Sequence, residues 1–194
     1  MHNRSNQFRF SAGIRWATLL VAAMSVTGCE HAEEIDLLKQ GEALCLDQQW
    51  EEAQAVLKKH LLIYPDDAGA HYYLGRCNVY GALFWPEVAR GEYETALQLF
   101  LANGKENPIE RFNAKYFEMI CHLHSAEVLV KLVYSLNGSG VQVSNLRGMI
   151  DKIESSIEEA RKVIPDHPDV QTYDGILKEL EAALVHEANG IRTR

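Results

Sequence analysis

From residue 32 onward the apolar positions of this chain recur every three or four residues, the spacing that lays one stripe along an α-helix. No stretch alternates in the manner of a half-buried strand. The pattern predicts helices over about residues 33–46, 50–62 and 68–80, a fourth ending near residue 102, and a long fifth over 109–136. The sixth follows Leu146, Met149, Ile150, Ile153, Ile157, Ala160 and Ile164 until Pro165. The seventh, over residues 168–188, follows Val170, Tyr173, Ile176, Leu177, Leu180, Ala183 and Leu184. Their ends carry punctuation: Pro65-Asp66-Asp67 offers an N-cap region, and Asn103-Gly104 and Asn137-Gly138-Ser139-Gly140 are breakers. The predicted fold class is all-α.

The first 28 residues follow another pattern. Arg4, Arg9 and Arg15 come without any acidic residue and precede an apolar run over residues 16–26, which ends in Val26-Thr27-Gly28-Cys29. A basic start, a short apolar core and small residues at a cut describe a secretory signal peptide. The run is too short for a permanent span, which needs about 20 apolar residues. Val-Thr-Gly-Cys resembles a bacterial lipobox, in which the cysteine receives lipid and becomes the new N-terminus. That resemblance implies lipidation of Cys29, a signal peptide over 1–28 and a lipidated N-terminus with a short linker over 29–33. It also implies anchoring in the cell envelope. Glutamate at position 30, where lipoprotein sorting resembling the enterobacterial kind uses aspartate for inner-membrane retention, points to the periplasmic face of the outer membrane.

Cleavage changes the charge balance. The whole chain has 19 basic and 27 acidic residues. Losing three arginines leaves a domain of net charge −11, which repels nucleic-acid phosphates and excludes that class of partner. Three cysteines remain: Cys45, Cys77 and Cys121, with no C-x-x-C pair. Their expected state is a small buried apolar side chain on a helix. Export also permits a Cys45–Cys77 disulfide.

Inside the helical pattern lies a repeat. Gly41 stands 12 residues before Ala53, Leu57 four after it, and Pro65 12 after it; Ala96, Phe100 and Pro108 repeat the latter spacings, with Leu74-Gly75 upstream. This resembles the tetratricopeptide repeat, a helix–turn–helix unit with an A-x-x-x-F and a closing proline. Small Gly41 and Ala53 suit a close helix crossing, and Leu57 or Phe100 fills the space toward the next hairpin. Leu44 takes the aromatic slot of the first copy, Gln40 stands at a usual leucine, and Asn78 fills the aromatic slot of the second. From Gly75 to Ala96 is 21 residues, an insertion of nine around residues 81–90. Longer helices on both sides would absorb it, with Pro86 opening the second. Ile153, Ile157, Ala160 and Pro165 suggest a third copy. The resemblance implies antiparallel hairpins stacked as a short solenoid. Two repeats occupy 34–108, a degenerate third hairpin 109–165, and 168–188 is a capping helix.

Little catalytic chemistry emerges. His122 and His124 point about 200° apart on a helix and cannot share an ion, so no metal is expected at Cys121-His122-x-His124. No nucleophile elbow, phosphate loop or zinc motif occurs, and no cofactor or enzyme activity is expected. The acidic clusters read as solvated helix starts and outer faces. In the resembled family the first helix of each hairpin lines a concave surface that commonly binds peptides or partner helices. That frame puts Leu38, Glu42, Tyr72, Arg76, Tyr80, Lys115, Met119 and His122 on or near one face. Tyr72, Arg76 and Tyr80 form an aromatic–basic row of the type that anchors partners; the alternative is that the tyrosines pack inside. Phe84 and Trp85, in the insertion, either seal the hairpin or offer an apolar patch. The expected partner-binding set is Tyr72, Arg76, Tyr80, Phe84, Trp85 and Lys115, presented to an envelope protein or peptide client. A spacer without a client is the rival reading, and an envelope enzyme or small-molecule binder a remoter one.

Overall fold

The structure, a computed structural model, describes residues 30–136 and 143–192. The chain divides between Asp36 and Leu37. Of the first unit only the start of one helix is described, so the rest concerns residues from Leu37 onward. The described residues form seven α-helices and no strand: α1 Glu30–Leu46, α2 Trp50–Ile63, α3 Ala68–Tyr80, α4 Pro86–Ala102, α5 Ala114–Leu136, α6 Val143–Val163 and α7 Pro168–Arg192. The all-α class is as the periodicity predicts.

Small residues set the closest approaches. A Cβ on Gly41 would lie 2.6 Å from Leu57 Cδ2, and one on Gly75 would lie 2.8 Å from the Tyr93 ring. Glycine therefore lets α1 meet α2 and α3 meet α4 with a large side chain filling the gap. Ala53, Leu57 and Ala96 are fully buried and Phe100 nearly so. Burying a leucine or phenylalanine in this way contributes about 1.5–3 kcal/mol. In α6, Ile153, Ile157 and Ala160 are buried like Ala53, Leu57 and His60 in α2. Both helices end two residues before a proline, at Ile63 and Val163.

The helix ends follow local chemistry. Asp67 caps α3, its Oδ1 accepting from the Ala70 N–H at 2.9 Å, and Pro86 opens α4. Two expectations need correction. α5 begins at Ala114, not near 109, because Asn113 Oδ1 accepts the Tyr116 N–H at 2.8 Å and starts the helix there. α3 is not lengthened by the insertion. It stops at Tyr80, the chain crosses residues 81–85, and only α4 is extended. The crossing is fixed by Glu51 Oε1, which accepts from the Ala82 N–H at 2.8 Å. α4 ends at Ala102 with Gly104 at φ 69°, as the Asn103-Gly104 breaker predicts.

α5 is the central helix, packed against α4 and α6. Phe117, Met119, Ile120, Cys121, Leu123, Ala126, Val128, Leu129, Val130 and Val133 are buried along it. Among the described residues it is the one helix long and apolar enough to cross a bilayer, but half of that stretch is covered by neighbouring helices.

Candidate functional site

The residues with the most distinctive chemistry meet where α3 passes the start of α2 and the middle of α5. Arg76 and Tyr80 lie one turn apart on α3. The Arg76 guanidinium carbon is 5.9 Å from the Trp50 ring centroid and 5.6 Å from that of Tyr80. The two rings stack at 5.2 Å. Lys131, from α5, puts its Nζ 3.8 Å from the Tyr80 centroid and 3.6 Å from Glu127. The Tyr80 hydroxyl donates to Glu127. Burial, and then this bond to a carboxylate, hold the Tyr80 phenol protonated well above its ordinary range. Among the described residues no carboxylate pairs with Arg76; its contacts are aromatic faces. A desolvated cation over an aromatic ring gains about 2 kcal/mol, and the guanidinium charge is left without a counter-ion among the described residues.

Beneath this row lies a polar pocket within the core. Tyr72 is 1% exposed. The His124 ring stacks on it at 5.5 Å and meets Tyr93 at 5.3 Å. Burial lowers the His124 pKa to about 3, the Arg76 and Lys131 charges adding to the effect. The imidazole is therefore neutral at ordinary pH. Tyr93 Oη, His124 Nδ1 and Arg76 Nε are buried without a hydrogen-bond partner. Each such orphan costs about 1–3 kcal/mol. Two of the three, on Tyr93 and His124, belong to rings that meet each other and Tyr72.

The sequence-predicted residues separate on this background. Arg76 and Tyr80 are brought together and remain half-buried. Tyr72 is corrected: it is enclosed by Tyr73, Tyr93, Phe112, Phe117 and His124. It supports the row from below and offers no contact surface. Phe84 is half-buried against the core, whereas Trp85 is 54% exposed beside exposed Leu83 and Val88. Trp85 and Trp50 line one cavity of about 140 Å³ with Glu51, Gln54 and Leu83. Trp50 thus connects the Arg76 row to the exposed loop. Lys115 is not part of this group. It lines a cleft of about 410 Å³ with Lys105, Glu118, His122, Glu159 and Lys162. Met119 is buried. Cys29 lies outside the described residues.

The sequence reading missed Trp50, Glu127, Lys131 and Arg111. Glu127 and Lys131, acid before base at four residues' spacing, carry the signal of a helix-surface pair. Nothing local announces that they reach Tyr80, 47 residues upstream. Arg111 bonds the Tyr73 hydroxyl at 2.8 Å and Glu42 at 3.0 Å, tying α1, α3 and the 109–113 turn together. Compared with known proteins, the chain matches no family model, and no curated protein shows significant sequence similarity to it.

Proposed function

We propose that this protein is a lipid-anchored scaffold of the bacterial cell envelope. Cys29 carries the lipid, and the helical domain offers the surface around Arg76 to an envelope protein or peptide. The observation that carries the reading is the half-buried Arg76 guanidinium, held against the Trp50–Tyr80 stack and, among the described residues, without a carboxylate of its own. A charge held in that way favours an anionic segment of a client, with Tyr80 and exposed Trp85 as flat apolar contacts.

The finer architecture belongs to the same proposal: a tetratricopeptide-like stack, with α1–α2 and α3–α4 as two repeats, α5–α6 as a degenerate third hairpin and α7 as the cap. Contacts between successive first helices support it. Tyr73 donates to Glu42 at 2.6 Å across 31 positions, and Cys45 meets Cys77 across 32. The next step, Tyr80 to Glu127, spans 47, wider because of the residues inserted before α4. The membrane part rests on Val-Thr-Gly-Cys, and labelled palmitate tests it: Cys29→Ser should lose the label and leave the membrane fraction.

A photo-crosslinking side chain at position 85 tests the scaffold. The expected result is one discrete envelope adduct, lost in Arg76→Met and not formed from position 62, which is also exposed. Equal adducts from positions 85 and 62 would favour the spacer reading. The burial of Tyr72 favours that rival too, because it removes one member of the anchoring row.

A further inference from the structure

We propose that Cys45 and Cys77 form a structural disulfide that clips α1 to α3. The two sulfurs lie 3.5 Å apart, across 32 positions of the chain. Both residues are 2% exposed. A disulfide needs them about 1.5 Å closer, at roughly 2.05 Å, an approach on the scale of side-chain torsions. Cys121 is buried on α5 and makes no sulfur contact with either, so the pair is unambiguous among the described residues. The pairing also resolves the odd cysteine count: one lipid-bearing residue, one linked pair and one buried thiol.

The surroundings favour ionisation of one partner. The hydrogen bond with Cys77 lowers the Cys45 thiol below its ordinary range, and the Arg76 and Arg111 charges add to this. The same bond, with burial, pushes Cys77 up. That contrast belongs to the docked pair; before docking either thiol can ionise and attack first. In the folding chain one of them, for example Cys45, attacks the disulfide of a thiol–disulfide oxidoreductase, forming a mixed disulfide and expelling one carrier sulfur as a thiolate. Cys77 then loses its proton and attacks the Cys45 sulfur of that mixed disulfide, releasing the second carrier sulfur. One sulfur–sulfur bond forms as one breaks. Two electrons pass to the carrier, which takes up the two protons to become a dithiol. The reaction precedes docking of α1, since both sulfurs are covered afterwards. The same cover then shields the bond from reductants.

This inference rests on the export part of the proposed function, because only an oxidising compartment retains such bonds. The test separates the two. The full chain, reduced and unfolded, is refolded in detergent across a series of oxidised-to-reduced glutathione ratios. It is then alkylated and digested for mass analysis. Linked Cys45 and Cys77 peptides, lighter by two hydrogens, are expected, with Cys121 labelled only after unfolding. Closing a loop of this length should raise Tm by about 10 °C over the reduced protein. Cys121→Ala should keep that gain and Cys77→Ala should lose it. Full labelling of both Cys45 and Cys77 after refolding in excess oxidised glutathione, or linkage of either to Cys121, would overturn the proposal. Acid-trapped protein from cells supplies the second arm, where linked peptides in the membrane fraction are expected. A chain that links in glutathione but leaves cells reduced at both positions upholds the pair and overturns export.

Discussion

α3 and α6 are buried in opposite ways. Ten of the thirteen residues of α3 are buried, among them Tyr72, Tyr73, Cys77 and Asn78, so polar atoms enter the core together with apolar ones. In α6 the buried residues are Leu146, Ile150, Ile153, Ile157 and Ala160, one aliphatic stripe at helical spacing. Its outer face carries pairs such as Lys162 with Glu159, 2.7 Å apart. A stripe needs only hydrophobic burial to hold it. A helix covered all round needs partners for its polar groups. Asn78 finds them, donating to the Leu74 carbonyl and accepting from Gln54 at 3.0 Å each. Arg76 Nε does not, nor do Tyr93 Oη of α4 and His124 Nδ1 of α5, whose rings pack against Tyr72. Each buried polar atom left without a partner calls for an explanation; α6 has none among the described residues, which is why the proposed site is placed at α3 and not at α6.

The largest effect tests the packing around α3. Ala96 is fully buried, so Ala96→Glu inserts an unpaired charge and should cost about 3–5 kcal/mol, read by urea unfolding. Wild-type stability in that variant would remove the packing account. Tyr72→Ala should cost a similar 3–5 kcal/mol, while Ile157→Val in the α6 stripe should cost only about 1 kcal/mol. Equal losses would erase the contrast between the two helices.

The pH dependence should carry the same asymmetry. His124 has its folded pKa lowered to about 3, so the unfolded chain takes up a proton first, below about pH 6.5. The stability it contributes is present above that value and falls as pH falls, by about 1.4 kcal/mol between neutrality and pH 5.5. Replacing it by Phe should flatten that limb. His71 has the opposite sign. Its bond to Glu92 at 2.6 Å, with a second to the Pro65 carbonyl at 2.9 Å, raises its pKa. Its contribution is present below about pH 6.5 and is lost as pH rises through the raised value. His71→Gln should flatten the stability loss on the alkaline side alone. The smallest effect is a gain. Tyr93→Phe removes a hydroxyl with no partner and should stabilise the fold by about 1 kcal/mol, measured by thermal melting. A loss of that size would mean the hydroxyl is satisfied.

The difference between α3 and α6 also decides what the sequence reveals. Periodicity reads α6 and α7 well, because one apolar face against one polar face is what a stripe looks like in sequence. It also finds α3, through the Asp67 cap. It cannot tell that Tyr72 faces inward while Tyr80 stays half-open, since both are amphipathic and lie on one helical row. The Trp50–Arg76–Tyr80–Lys131 assembly joins three distant segments of chain, and no local pattern encodes it. Lys115 was grouped with Arg76 by the repeat frame, but the departure of α5 from that frame, starting at Ala114, puts it in another cleft.

The most direct measurement of the central claim is made on Arg76→Met, which keeps an unbranched stem against the rings and removes the charge. Melting temperature and capture of the client crosslinked at position 85 are read on the same preparation. If Arg76 is held for a partner, Tm should stay within about 2 °C of wild type, because the lost cation–π contact is offset by removal of an unpaired buried Nε, while capture weakens by roughly 30-fold, the scale of an interface hot spot. Unchanged capture, or capture that falls only in proportion to a drop in Tm, would contradict a recognition role for this face.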